Sequence, residues 1–118
     1  MDKGKWVEKD WGRERILVNN ERYCAKLLYV DPGWQCSLHR HKIKDETFLV
    51  RIGSVLLEEF GVKGFQTMYE GDTKRILPGH WHRFANYGIE VAVILEISTH
   101  HDDADVERRE RSRRISGR

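Results

Sequence analysis

The strongest signal in this chain is Gly33-Trp-Gln-Cys-Ser-Leu-His39-Arg-His41-Lys-Ile-Lys44-Asp-Glu46-Thr-Phe-Leu-Val-Arg-Ile-Gly53. His39 and His41 are two residues apart, and along a strand residues i and i+2 share a face. Both imidazoles can therefore converge on one metal ion from one strand. Lys42 to Asp45 is a short polar run that can turn the chain. A second strand is predicted from Glu46 to Ile52, with Glu46, Phe48, Val50 and Ile52 on one face. That face is apolar apart from Glu46, as expected of an inward face with one functional carboxylate at its end. Neutral imidazoles plus a carboxylate suit Mn, Fe, Ni, Co or Zn.

The spacing Gly-x5-His-x-His-x4-Glu-x6-Gly over these residues resembles, without a gap, the first signature of the cupin superfamily. Gly71-x6-Pro78-Gly79-x2-His82-x3-Asn86 resembles the second. It departs by one residue, with six rather than five before Pro78, while His82-x3-Asn86 is intact. The resemblance covers roughly residues 10 to 98. It implies an all-β, single-domain jelly-roll β-barrel holding one divalent transition metal per chain. The implied ligands are His39, His41, Glu46 and His82, with His80 the weaker candidate for the third imidazole.

A chain of 118 residues is long enough for one hydrophobic core but not two. A hydrophobic fraction of 39% with 34% charged residues describes a soluble globule with a polar surface. No apolar run approaches the ~20 residues of a membrane span. The start, Met1 to Trp6, does not read as a signal peptide. Cys24 and Cys36 show no disulfide-framework pattern and read as buried free thiols, so a cytoplasmic location is expected. The net charge of +2 lacks the basic excess of a protein built to bind duplex DNA.

Residues 1–12, with Trp6 and Trp11, read as an N-terminal arm or edge strand, 13–98 as the barrel, and 99–118 as a charged C-terminal helix or tail. Strands are predicted at Arg13 to Val18, ending at Asn19-Asn20, and at Tyr23 to Val30, ending at the turn Asp31-Pro32-Gly33. Lys26 shares a face with Cys24, Leu28 and Val30, and the alternation leaves open whether that face or the one with Ala25, Leu27 and Tyr29 is inside. Ser54 to Phe60 and Phe65 to Tyr69 flank Gly61-Val-Lys-Gly64 and read as a hairpin. Ile89 to Ile97 is the most β-rich run and should be a central strand. About nine or ten short strands at turn spacing predict a closed or two-sheet antiparallel barrel. Beyond residue 98 an Asp102 or Asp103 cap predicts a short helix to about Arg114, supported by a Glu107–Arg111 pair. Interleaved acidic residues and the lack of aromatic residues set this arginine-rich segment apart from nucleic-acid binders. His100 and His101 read as surface residues.

Three histidines and a glutamate leave coordination positions open for two adjacent substrate oxygens. Lewis-acid chemistry there would stabilise an enediolate, as in aldose–ketose isomerisation or epimerisation; oxygen activation by Fe would make a dioxygenase. Among cupins the chain resembles D-lyxose isomerase and the cupin part of type II phosphomannose isomerase. The matching residues are Trp11-Gly12, Lys26-Leu27-Leu28, Pro32-Gly33, His39-x-His41-x2-Lys44-x-Glu46 and the run from Glu96 to Arg108. That resemblance implies a sugar or sugar-phosphate isomerase, or a non-catalytic carbohydrate-binding cupin, and a homodimer contacting through the N-terminal arm. Candidate catalytic groups are Glu96 and Lys44, and candidate substrate-binding groups are Lys26 and Arg83. The basic residues around both motifs favour a small polar, anionic sugar.

Overall fold

The computed structural model describes residues 3–60 and 64–115. The β-branched run near the C-terminus forms β11 (Ala92–Thr99), hydrogen-bonded on one side to β3 (Tyr23–Val30) and on the other to β6 (Glu46–Ile52). Beyond β3 lie β2 (Gly12–Asn19) and then β1 (Lys5–Lys9); beyond β6 lies β9 (Thr73–Ile76). The second sheet is centred on β10 (His82–Ala85), which pairs with β4 (Trp34–Gln35), β5 (Leu38–Arg40) and β7 (Val55–Glu59). β7 pairs in turn with β8 (Gly64–Met68), giving the expected hairpin; turn residues 61–63 lie outside the described residues. All of these pairings are antiparallel, as expected of a jelly roll.

Both sheets contribute to one core. Leu28, Val30, Phe48, Val50, Ile76 and Ile94 come from the first and Val55, Leu57, Met68 and Phe84 from the second, with Trp11 packed against the cluster. Phe48 and Phe84 meet edge to face across the interior, with ring centroids 4.6 Å apart. Removing either ring would cost about 3–5 kcal/mol. Gly12 starts β2 at φ 147°, where a Cβ would lie 1.9 Å from the Tyr29 carbonyl oxygen, so only glycine lets the strand close on β3 there. Among the described residues no helix is long and apolar enough to cross a membrane.

Two expectations fail. The predicted helix after residue 102 is a single 3₁₀ turn, Asp103–Asp105, capped by Asp102 accepting from the Ala104 amide. The chain then extends into β12 (Glu107–Glu110), which pairs with β5, and β13 (Arg113–Arg114), which pairs with β4. The Glu107–Arg111 pair does not form; Glu107 binds Arg40 at 3.0 Å and Lys42 at 3.3 Å instead. A short helix is marginal alone, whereas β5 and β4 offered unpaired edges. The other failure is Ile52, expected inside but 51% exposed. In the β6–β11 ladder Ile94 faces Val50 while the adjacent Val93 faces Ile52, so a bulge at Arg51 reverses the alternation.

Candidate metal and carbonyl-chemistry site

The β5–β10 register pairs His39 with His82, and their ring centroids are 4.5 Å apart. His41 lies just beyond the end of β5 rather than on it, its ring 5.3 Å from that of His39. One ring nitrogen from each of the three lies within 4.8 Å of the others. Every one of these rings donates its Nδ1–H to a main-chain carbonyl: His39 to Ser37 (2.8 Å), His41 to Asp105 (3.0 Å) and His82 to His80 (2.9 Å). A carbonyl only accepts, so a proton sits on each Nδ1, and Nε2 is the atom left to face the cavity. Burial, reinforced by His82, pushes His39 down to about 3; burial, against the pull of Glu46, pushes His41 down to about 4. Both rings are therefore neutral at pH 7.

Glu46 lies beside two of the three rings and outside the three-histidine cluster itself. Its Oε2 lies 3.1 Å from His82 Nε2 and 3.6 Å from His41 Nε2. His82 Nε2 is buried without a hydrogen-bond partner. Burial pushes the Glu46 carboxyl up, but His82 and the charge of Lys44 outweigh it and hold it below the usual carboxylate range. An anionic oxygen thus faces the Nε2 atoms of two imidazoles, an arrangement that a cation between them would satisfy. This donor set fits a divalent transition metal.

The first sheet supplies a charged wall. Lys44 Nζ, 2% exposed, binds Glu96 at 3.1 Å, Glu46 at 3.4 Å and His101 Nδ1 at 3.1 Å. Burial pushes this ammonium down, but Glu96 and Glu46 outweigh it and raise it above its ordinary value. His101 passes the contact on, donating from Nε2 to Asp103 at 2.8 Å. Lys26 faces inward, the choice that alternation left open; it lies opposite Glu96 in the β3–β11 ladder, with Nζ 3.6 Å from Glu14. His39, His41, Lys26, Lys44, Glu96 and His101 all line one cavity of about 500 Å³, floored by Leu28, Val30, Phe48 and Phe84.

Two of the residues singled out by sequence lie elsewhere. Arg83 neighbours His82 in β10 and so points to the other face, where it is held by Glu58 through two contacts of 3.1 Å and by Glu110 at 3.0 Å. The period-two rule carried that signal. His80 binds Glu59 at 2.9 Å. The sequence reading missed Glu14, His101 and Asp105. The Asp105 carboxylate accepts from the amides of Lys42 (2.8 Å), Ile43 (3.2 Å) and Lys44 (3.0 Å), and no local pattern reveals contacts across about 60 residues.

Residues 2–111 match the family described as Mannose-6-phosphate isomerase C-terminal. The chain belongs to this family of cupins. A D-lyxose/D-mannose isomerase from Thermosediminibacter oceani is 34% identical to this cupin over a 113-residue alignment, covering 75% of this chain and 62% of that one. A Sinorhizobium fredii mannose-1-phosphate guanylyltransferase is 28% identical, over 77% of this chain and 17% of its own. The cupin thus spans less than two thirds of these relatives. Among solved structures, KdgF from Halomonas superposes with a TM-score of 0.75 at 16% identity, covering 85% of this chain and 91% of that one. A cupin sugar phosphate isomerase from Silicibacter pomeroyi gives 0.69 at 21% identity, covering 83% and 75%.

Proposed function

We propose that this cupin is a metal-dependent aldose–ketose isomerase acting on a sugar or sugar phosphate. The observation that carries this reading is the buried Glu96–Lys44 pair facing the same cavity as the histidines, 3.1 Å apart. His39, His41, His82 and Glu46 would hold one divalent ion, Mn, Fe, Zn or Ni. Bound there, such an ion would supply Lewis acidity toward the oxygens of the substrate.

The remaining steps belong to the chain. Glu96 takes the proton from C2 of the aldose, where it exchanges with solvent at the open side of the cavity, and delivers a proton to C1. Lys44 gives a proton to the carbonyl oxygen at C1 and recovers one from the hydroxyl at C2, so each group ends in its starting state. Glu46, His101 and Glu96 hold the ammonium from three sides, which fixes its direction. Lys26, opposite Glu96, orients the sugar hydroxyls beyond C2. The apolar floor keeps water from the enediolate.

Metal-loaded protein incubated in D₂O with a panel of aldoses, ketoses and their phosphates should wash deuterium into C2. Absence of exchange with every sugar, in protein shown to contain metal, would leave a carbohydrate-binding cupin without turnover. The lysines and carboxylates of the cavity weigh against the apolar mouth expected of a dioxygenase; oxygen uptake with Fe(II) would reverse that. We also propose a homodimer, which light scattering tests directly.

A further inference from the structure

The outer face of the first sheet is apolar where an antiparallel sheet with one face on a core commonly turns polar residues to water. Lys26 and Glu96 point into the cavity, and Phe48 and Val50 into the core. By alternation their neighbours along β3, β11 and β6 point outward. Leu27, Leu95 and Leu49 stand abreast on that outer face, and Tyr29, Val93 and Ile52 form the next row. A third row holds Ala25, Ile97 and Thr47. The bulge that turns Ile52 outward thus adds to this apolar block. The C-terminal strands β12 and β13 join the second sheet, and the face stays open, with Ile97 53% exposed and Ile52 and Tyr23 nearly the same.

Charges keep to the margins of this face. On the β1–β2 side Arg13 and Arg15 stand opposite Tyr29 and Leu27, with their guanidiniums 4.5 and 5.7 Å from the Trp6 ring. Trp6 in turn packs on Tyr29, ring centroids 5.3 Å apart, so the N-terminal strand is engaged within its own sheet. On the β9 side Arg75 is held by Asp45. An apolar centre inside a charged rim is the anatomy of a protein interface. Six strands about 4.8 Å apart and the eight residues of β11 at about 3.3 Å each outline a face about 24 Å by about 26 Å. That is on the order of the ~800 Å² each partner buries in a stable complex, and above the apolar patch a monomer commonly leaves bare. The block is self-complementary: a twofold axis through β11 lays it on its own copy, with the sheets about 10 Å apart.

We propose that two copies of this chain dimerise by stacking the outer faces of their six-stranded sheets, with Leu95 and Ile97 of β11 at the centre. This rests on the homodimer reading above and gives it a contact other than the N-terminal arm. The second copy packs on the reverse of the strands that carry Lys26, Glu96 and Glu46, and so braces the charged wall of the cavity from behind. Sedimentation velocity from about 1 to about 100 µM should show a dimer. Ile97→Lys and, on the neighbouring strand, Ile52→Lys should each raise the dissociation constant at least about 100-fold, because each sets an ammonium against an apolar surface. Both side chains are half exposed in the single chain, so both variants should fold with the wild-type circular dichroism. Phe65→Lys makes the same change on the outer face of the second sheet, opposite Glu58 in the β7–β8 ladder, and should remain a dimer. A monomeric wild type would refute the homodimer and this contact together. A wild-type dimer that survives both isoleucine variants, and is dissociated by Phe65→Lys or Trp6→Ala instead, would refute the sheet face and leave the homodimer standing.

Discussion

The two walls of the cavity hold their functional groups by different means. On the β5–β10 side the imidazoles of His39 and His41 are neutral, and all three, His82 included, are turned by main-chain carbonyls. For His39 and His82 that carbonyl is only two residues upstream, so the strand conformation brings the orientation with it. On the β2–β3–β11–β6 side Glu14, Lys26, Lys44, Glu46 and Glu96 are acidic and basic side chains held by one another. Neutral rings anchored to the backbone can lose a neighbour and keep their direction. Buried charges anchored to one another cannot, because the one left behind is uncompensated. The same contrast separates this wall from the surface. Arg75 and Asp45 form a two-point ion pair as good in geometry as any inside, yet solvent screens it.

The largest effect should follow from breaking the charged wall. Lys44→Met leaves Glu46 and Glu96 buried without their shared cation, and urea unfolding should report a loss of about 3–5 kcal/mol. A loss below about 1 kcal/mol would mean that the carboxylates find other partners. Next is the neutral wall. His41→Ala should reduce metal content to background by elemental analysis while the protein stays folded; unchanged stoichiometry would remove His41 from the ligand set. Asp105→Ala spares every candidate ligand but frees the 42–44 loop and the carbonyl that turns His41. It should weaken metal binding about tenfold, and restoration of affinity by Asp105→Asn would trace the effect to the amide contacts.

Acid should separate the walls further. In metal-free protein His39 and His41 take up protons only near about 3 and 4, whereas unfolded histidines do so near about 6.5. Between these values the unfolded chain binds more protons, so stability falls as pH drops from 6.5 to 4.5. Urea midpoints that stay flat across that window would contradict neutral native imidazoles. The smallest effect belongs to the surface: Arg75→Ala should leave the unfolding midpoint where it was.

The spacing of His39, Glu46 and His82 was readable along the chain because each belongs to a strand, and strand geometry is local and has period two; His41 follows directly after the end of β5. That period also placed Arg83 opposite His82, on the outer face, had it been applied there. The central position of β11 followed from its β-branched composition, although the bulge that turned Ile52 outward left no mark in residue type. Whether Lys26 pointed in or out depended on which sheet face met the second sheet, and that is a property of packing. The C-terminal segment was misread because its helix signals were weak and its strand signals lay in β5 and β4, about 70 residues upstream. His101 and Asp105 became part of the site only when that segment folded back. Local chemistry therefore named the candidate ligands, while closure of the chain on itself chose the groups packed around them, since contacts across such separations leave no periodic trace in sequence.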